Sequence, residues 1–419
     1  MKSNQPFPKD FTIDSTAAVL FEGYKFIQNR KHMLNSNIFQ TRVMGKKVIC
    51  ISGEDAAELF YDNDKFQRQG AVPKRVQKSL FGVKAIQNKD GQAHQHRKEL
   101  FMSLMTKDKI NELQRITRNQ WEMNIKNWEK AESITLYEDS AYIMCKIAFE
   151  WAGVPLKESE VQQRTHEYKS MVDSFGGVGP RYQKGKRSRI NNEKWAKHMI
   201  EQVRDHTLSA DEGTALHAMA WHKDSKGQLL DPLMAGKELI NILRPIVAIS
   251  RYVTFAALAL HEYPQYKKKI KNDENGQSTK MFVHEVRRYY PFGPLLGAMT
   301  RQDFTWKGYD FKKGTLVFLD IYGTNRDSEL WDDPELFYPE RFDNWDGSGF
   351  DLIPQGGGDY YKNHRCPGEQ VTIKVMEESI KFFVNDITYD VPNQDLGISL
   401  RRMPTLPRSG FIITNVNRK

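Results

Sequence analysis

The residues with the most chemical promise share one loop, Gln355-Gly-Gly-Gly-Asp-Tyr-Tyr-Lys-Asn-His-Arg-Cys366-Pro-Gly-Glu369. The spacing places Cys366 just before a helix, with Pro367 suited to the first helical position. A helix N-terminus beside His364 and Arg365 favours a thiolate over a thiol. Three glycines let the backbone pass close to a flat object and turn its amides toward the sulfur. A thiolate held in this way is a soft anionic ligand that suits iron. The plainer alternative is a structural cysteine beside a helix cap, and for Cys50, in a strand, and Cys145, on an apolar helix face, that alternative is taken. A second group is Asn241-Ile-Leu-Arg-Pro-Ile-Val-Ala-Ile249. Arg244 in an apolar helix is costly unless paired, and Pro245 removes its own backbone bond to Asn241. Such an arginine can clamp a carboxylate bidentately; the alternative is a buried ion pair at a kink. Glu285 and Arg288 lie three apart on one helix face, which alone is an ordinary surface pair. His94 and Lys98 are one helical turn apart; His94 and His96 look like a metal pair, but no cluster completes a site.

These groups need elements to hold them. Apolar residues at three- and four-residue spacing predict helices over Asp108 to Glu129, Asn192 to Thr207, Lys237 to Glu262 and Lys280 to Tyr290. Strands are predicted at Lys47 to Ile51 and Gly314 to Asp320. A long ordered loop runs from Pro334 to His364, and a helix follows from about Pro367 to Asn385. Of 419 residues, 39% are apolar and 27% charged, which excludes a long disordered chain. The 3 cysteines form no disulfide framework. No stretch is uniformly apolar over bilayer length; Leu239 to Leu260 carries Asn241, Arg244, Pro245 and Arg251. With no repeat or linker, residues 1–419 read as one domain with a polar N-terminal extension over 1–18, working in the cytoplasm without a transmembrane segment. The net charge of +9 permits anionic ligands or surfaces, and no nucleic-acid partner is expected. The basic run Lys184-Gly-Lys-Arg-Ser-Arg189 reads as a solvated face.

The order Glu285-Val-Arg-Arg288, then Pro339-Glu-Arg-Phe342, then His364-Arg-Cys366-Pro-Gly with a helix after it, resembles the haem-thiolate cytochrome P-450 superfamily. The loop departs from that family's usual pattern: Asp359 stands in its Phe place and Lys362 in its Gly place. The resemblance implies a mainly α, single-domain cytochrome P-450 fold with a small β region. It implies haem b, with Cys366 as the iron ligand and His94, Lys98, His364 and Arg365 near the propionates. It also implies that Glu285, Arg288 and Arg341 form a buried triad bracing the cysteine loop.

The central helix lacks the family's usual acid–threonine pair. Arg244-Pro245 in that place resembles the bacterial fatty-acid peroxygenases, as do Phe101-Met-Ser-Leu-Met105, Glu285 to Pro291, Asp320 to Thr324 and Asp351 to Asp359. The resemblance runs from about Val19 to Asn415. It implies hydroxylation of long-chain fatty acids at the alpha or beta carbon by hydrogen peroxide, with no reductase and with decarboxylation to terminal alkenes as a minor outcome. The substrate carboxylate, held by Arg244, replaces the missing acid. Leu80-Phe-Gly-Val-Lys-Ala-Ile-Gln87 matches the loop over the pocket, where Gln87 in place of histidine favours hydroxylation. Phe81, Val172 and Phe175 are expected as pocket walls. The alternatives are a reductase-dependent monooxygenase and a haem-binding sensor or carrier.

Overall fold

The computed structural model describes residues 5–419. Helices form where the apolar spacing places them: Lys107–Trp128, Gly179–Arg204, Pro232–Ala248 followed by Ser250–Glu262, and Gln277–Tyr289. The second begins well before Asn192. Its early turns carry the basic run, whose few apolar residues hide the helical period, and Arg189 within that run is buried rather than solvated.

The central rod starts sharply because Asp231 caps it, accepting from the Met234 N–H at 3.1 Å, with Pro232 in the first turn. The expected single helix is divided at Ile249, four residues after Pro245, but Ile249 keeps right-handed helical angles and the axis continues. The Pro232–Glu262 stretch is long and apolar enough to cross a membrane, yet it forms the axis of the protein core. Leu239, Leu243, Val253, Phe255 and Leu258 are all fully buried in it, each contributing about 1.5–3 kcal/mol. The helices Gly179–Arg204, Leu136–Trp151 and Glu158–Asp173 pack around this rod.

The β region is small. Its main sheet has the strand order Ile38–Val43, Lys46–Ile51, Leu316–Asp320, Leu295–Thr300, Phe66–Gln67, with only the Lys46–Ile51 and Leu316–Asp320 pair parallel. The first two strands meet in the two-residue turn Met44-Gly45, where both residues have positive φ (51° and 72°). The stretch over 5–18, within the segment read as an extension, runs beside the first strand, and Ser15 is buried there.

The loop after Pro334 is ordered and contains the short turn Pro339–Phe342. The helix expected from Pro367 begins instead at Glu369, with Gly368 at its cap, and continues to Lys381 before a wide turn at Phe382–Asp386. The Cys366 carbonyl accepts from the Glu369 N–H at 3.2 Å, so a tight turn separates the cysteine from the helix and Pro367 lies outside it.

Candidate active site

Cys366 lies deep in the protein yet keeps an accessible face, as a residue lining an internal cleft does. Its N–H donates to the Gln355 carbonyl at 3.0 Å. Burial pushes its thiol pKa up, while the Gly368 N–H, Lys98 and Arg287 pull it down. The cations near the sulfur are therefore not the expected pair. Burial lowers the His364 pKa to about 4, leaving it neutral, and Arg365 is turned to Glu369 at 2.6 Å and Gly358 O at 3.4 Å. The three glycines also differ from expectation. A Cβ on Gly357 would stand 2.5 Å from Gly349 O, and one on Gly358 2.7 Å from Asn363 Oδ1, so they let the loop fold on itself. Gly368 is the glycine beside the sulfur, 3.9 Å from it at the Cβ position.

Behind this loop the charges are paired. Arg288 meets the fully buried Glu285 carboxylate with two bonds, 2.7 and 2.8 Å, and Arg341 approaches the same group at 3.3 Å. Arg288 also donates to Asn325 O at 3.1 Å, and Asn325 Oδ1 accepts from the Ile353 N–H at 2.8 Å, which ties the three residues to the start of the cysteine loop. A more direct brace escaped the sequence reading. Arg287 donates to Gln355 Oε1 at 3.1 Å and to Glu369 Oε1 at 2.5 Å, spanning the loop from one end to the other. The sequence signal was present in the Arg287-Arg288 doublet and the Glu369 that follows Cys-Pro-Gly.

Beside the loop, His94 and His364 stack with ring centroids 3.8 Å apart. Burial holds His94 neutral, its pKa lowered to about 3. Lys98 donates to the carbonyls of Asn363 (3.1 Å) and Arg365 (2.5 Å), and burial brings its pKa to about 8. Arg68, which sequence reasoning missed, is buried here. It lies over the Phe60 ring at 4.1 Å and reaches one carbonyl, Phe60 O, at 3.5 Å.

On the other side of the cleft stands Arg244. It is buried, its Nη2 reaches Asn241 Oδ1 at 3.4 Å, its Nε has no partner, and the guanidinium lies 5.6 Å over the Phe81 ring. Burial, reinforced by nearby Arg189, lowers its pKa to about 9, so it stays charged at neutral pH; Cys366 pulls the other way. The ion pair weighed from sequence does not form: among the described residues no carboxylate bonds to Arg244. Instead Glu238, fully buried one turn before Asn241, accepts from Arg97 (2.6 Å), from the Asn241 amide (3.0 Å) and from the Ile86 N–H (3.1 Å). This hub joins the arginine to the short turn Ile86–Asn88, where the Gln87 side-chain oxygen is buried and unpartnered. Sequence reasoning passed over Glu238, although a carboxylate in an apolar helix is the same signal as Arg244. Phe81, Val172 and Phe175 do come together, with Leu80, Ala248 and Phe292 completing the apolar wall.

A family model described as Cytochrome P450 matches residues 274–383. Among curated proteins, psoralen synthase of Pastinaca sativa is 37% identical over 119 residues, 27% of this chain and 24% of that protein. Ent-cassadiene hydroxylase of Oryza sativa subsp. japonica is 32% identical over 162 residues, 37% and 30% of the two. The matched segment thus spans about a quarter of the length of the first of these relatives. The solved structures match over the whole chain. Cytochrome P450EX alpha (CYP152N1) with myristic acid superposes with a TM-score of 0.96 at 44% identity, over 99% of this chain and 100% of that one. A variant of cytochrome P450 OleT in complex with arachidonic acid gives 0.97 at 40% identity, over 99% of both. The chain belongs to the cytochrome P450 family. Within that family it is a member of the CYP152 fatty-acid peroxygenase branch, and its cofactor is a haem-thiolate. The side chains of this P450 suit such a group. Cys366 offers a soft donor beside an inward-facing amide, and Lys98 and Arg68 are buried cations able to meet carboxylates next to the stacked histidines.

Proposed function

We propose that this P450 hydroxylates long-chain fatty acids at the alpha or beta carbon with hydrogen peroxide, without a reductase, as one haem b-binding unit over residues 1–419 in the cytoplasm. The observation that carries the reading is Arg244, a buried guanidinium with an unpartnered Nε, set in an apolar wall opposite Cys366. A buried cation needs an anion, and an apolar pocket needs an apolar body; a fatty acid supplies both.

In this reading Cys366 would hold the haem iron, and His94, Lys98, His364 and Arg68 would hold its propionates, while Arg365 keeps the loop closed. When bound, the haem supplies the iron at which peroxide is split and oxygen is delivered to a C–H bond. The chain's own groups do the rest. Arg244 grips the carboxylate, and Glu238 through Asn241 fixes where that grip lies. The clamped carboxylate stands where other members of the superfamily keep an acid, so the substrate's own oxygens take up and return the proton that peroxide cleavage moves. Pro245 leaves the Asn241 carbonyl without its helical donor next to this point. Phe81, Val172 and Phe175 exclude water and align the chain, so that only the carbons nearest the clamp lie within reach. Gln87 can hydrogen-bond but not titrate, which favours hydroxylation over loss of the carboxyl group.

The deciding experiment is product analysis after peroxide and a saturated fatty acid are added to the haem-loaded protein. Hydroxy acids oxygenated at carbon 2 or 3, formed with peroxide alone, are expected. Turnover that demands a reductase and dioxygen overturns the reading.

A further inference from the structure

Outside the cleft, the segment beside the first strand builds a surface of its own. The Asp10 N–H donates to Gln40 O at 2.9 Å and the Ser15 N–H to Arg42 O at 2.7 Å. The hairpin tip is tied back by the Met44 N–H to Thr16 Oγ1 at 2.6 Å and the Gly45 N–H to Asp14 Oδ2 at 2.7 Å. This brings Phe11, Ile13 and Met44 to one edge, at 91%, 91% and 57% exposure. The helix Thr16–Glu22 continues the edge, and its outward residues Ala17, Leu20 and Phe21 are apolar at helical spacing. A surface helix ordinarily turns that stripe to the core; here it faces out. Single exposed apolar residues need no explanation, but a contiguous set marks a contact surface.

The charges around it are sorted. Asp10 accepts from Ser15, Thr41 and Arg30, Asp14 from Thr16 and Gly45, and Glu22 from Asn29 and Arg30, so all three carboxylates are engaged within the fold. Lys9, Lys25, Arg42, Lys46 and Lys47 remain exposed. We propose that this face docks the protein on an anionic lipid bilayer, with the apolar tips in the acyl boundary and the cations among the headgroups. A second copy of the chain fits less well, because a two-fold contact sets these cations against themselves. Behind the surface, Tyr24 packs with Tyr322, Met403 and Phe175, and Phe175 also walls the pocket with Val172 and Phe81. Tyr24, two residues past the docking helix, thus reaches the pocket wall through Phe175, which suits a substrate drawn from the bilayer. That last link rests on the proposed function; the docking does not.

The test is flotation of the full-length, haem-loaded protein with vesicles of phosphatidylglycerol and phosphatidylcholine, against vesicles of phosphatidylcholine alone. The native protein should rise with the anionic vesicles. The triple variant Phe11→Ser, Ile13→Ser, Phe21→Ser should bind about tenfold less or weaker still, and Lys46→Glu with Lys47→Glu about fivefold less per lysine. Both should oxidise dissolved fatty acid as the native protein does, and lose rate only on fatty acid held in vesicles. Absence of native flotation, equal flotation of native and triple variant, or a native dimer in solution that the triple variant abolishes in place of flotation, each overturns the docking. Flotation as expected with no fatty-acid turnover by either protein leaves the docking standing and removes the proposed function.

Discussion

The two sides of the cleft treat buried charge in opposite ways. On the cysteine side, Glu285 is met by Arg288 and Arg341, and Glu369 by Arg287 and Arg365, so each carboxylate is shared by two guanidiniums. On the far side, Arg244 is buried with one long hydrogen bond and an unpartnered nitrogen. Paired charge locks a loop in place, and its value lies in geometry rather than in net stability. Unpaired charge is a liability until a ligand arrives. The contrast separates what holds the chemistry from what receives the substrate, and it makes the two sides respond differently to the same kind of mutation.

The largest effect is expected at the cysteine itself. Cys366→Ser should abolish peroxide-driven turnover and the thiolate-type absorption band of the reduced, CO-bound protein, while Cys50→Ser and Cys145→Ser keep both. Survival of that band in the first variant defeats the ligand assignment. Next comes the scaffold. Arg288→Leu removes both short bonds to the buried Glu285 carboxylate and leaves it Arg341 at 3.3 Å as its remaining cation; it should destabilise the fold by about 3–5 kcal/mol, measured by denaturant unfolding. Arg244→Leu sharpens the comparison, because it removes a cation that no carboxylate needs. Folding stability should hold or rise, while fatty-acid affinity falls by about 2–5 kcal/mol in a spectral titration. A loss of stability equal to that of Arg288→Leu erases the distinction between the two sides. The smallest change is one of product. Gln87→His places a titratable group near the clamp and should raise the terminal alkene fraction at the expense of hydroxy acids, by roughly severalfold, a shift in barriers of about 1 kcal/mol. Chromatography of both proteins on one fatty acid decides it, and a native protein that makes mainly alkene contradicts the role given to Gln87.

Much of this arrangement was legible in the sequence because it is carried by short spacings. Glu285 with Arg288, Cys366 with its glycines, and Arg244 with Pro245 all announce themselves within a few residues. Arg287, Arg68 and Glu238 did not, because their partners arrive from other elements: Gln355 and Glu369, Phe60, and Arg97 with the Ile86 amide. The start of the last helix was misplaced for a local reason. Proline fits a first helical turn equally well on paper, and only the Cys366–Glu369 turn decides against it. The exposed tips Phe11, Ile13 and Phe21 could not be foreseen either, since an apolar stripe predicts burial until the fold shows which way it faces.

The Glu238 hub carries a consequence for anyone who wishes to retarget the pocket. One carboxylate fixes the backbone above the cleft through Ile86 and the clamp through Asn241, so the position of the Gln87 turn and the angle of the Arg244 fork are a single mechanical variable rather than two. Engineering that moves the turn to admit a bulkier head moves the clamp with it, and independent tuning of regiochemistry and head-group selectivity requires Glu238 to be uncoupled first.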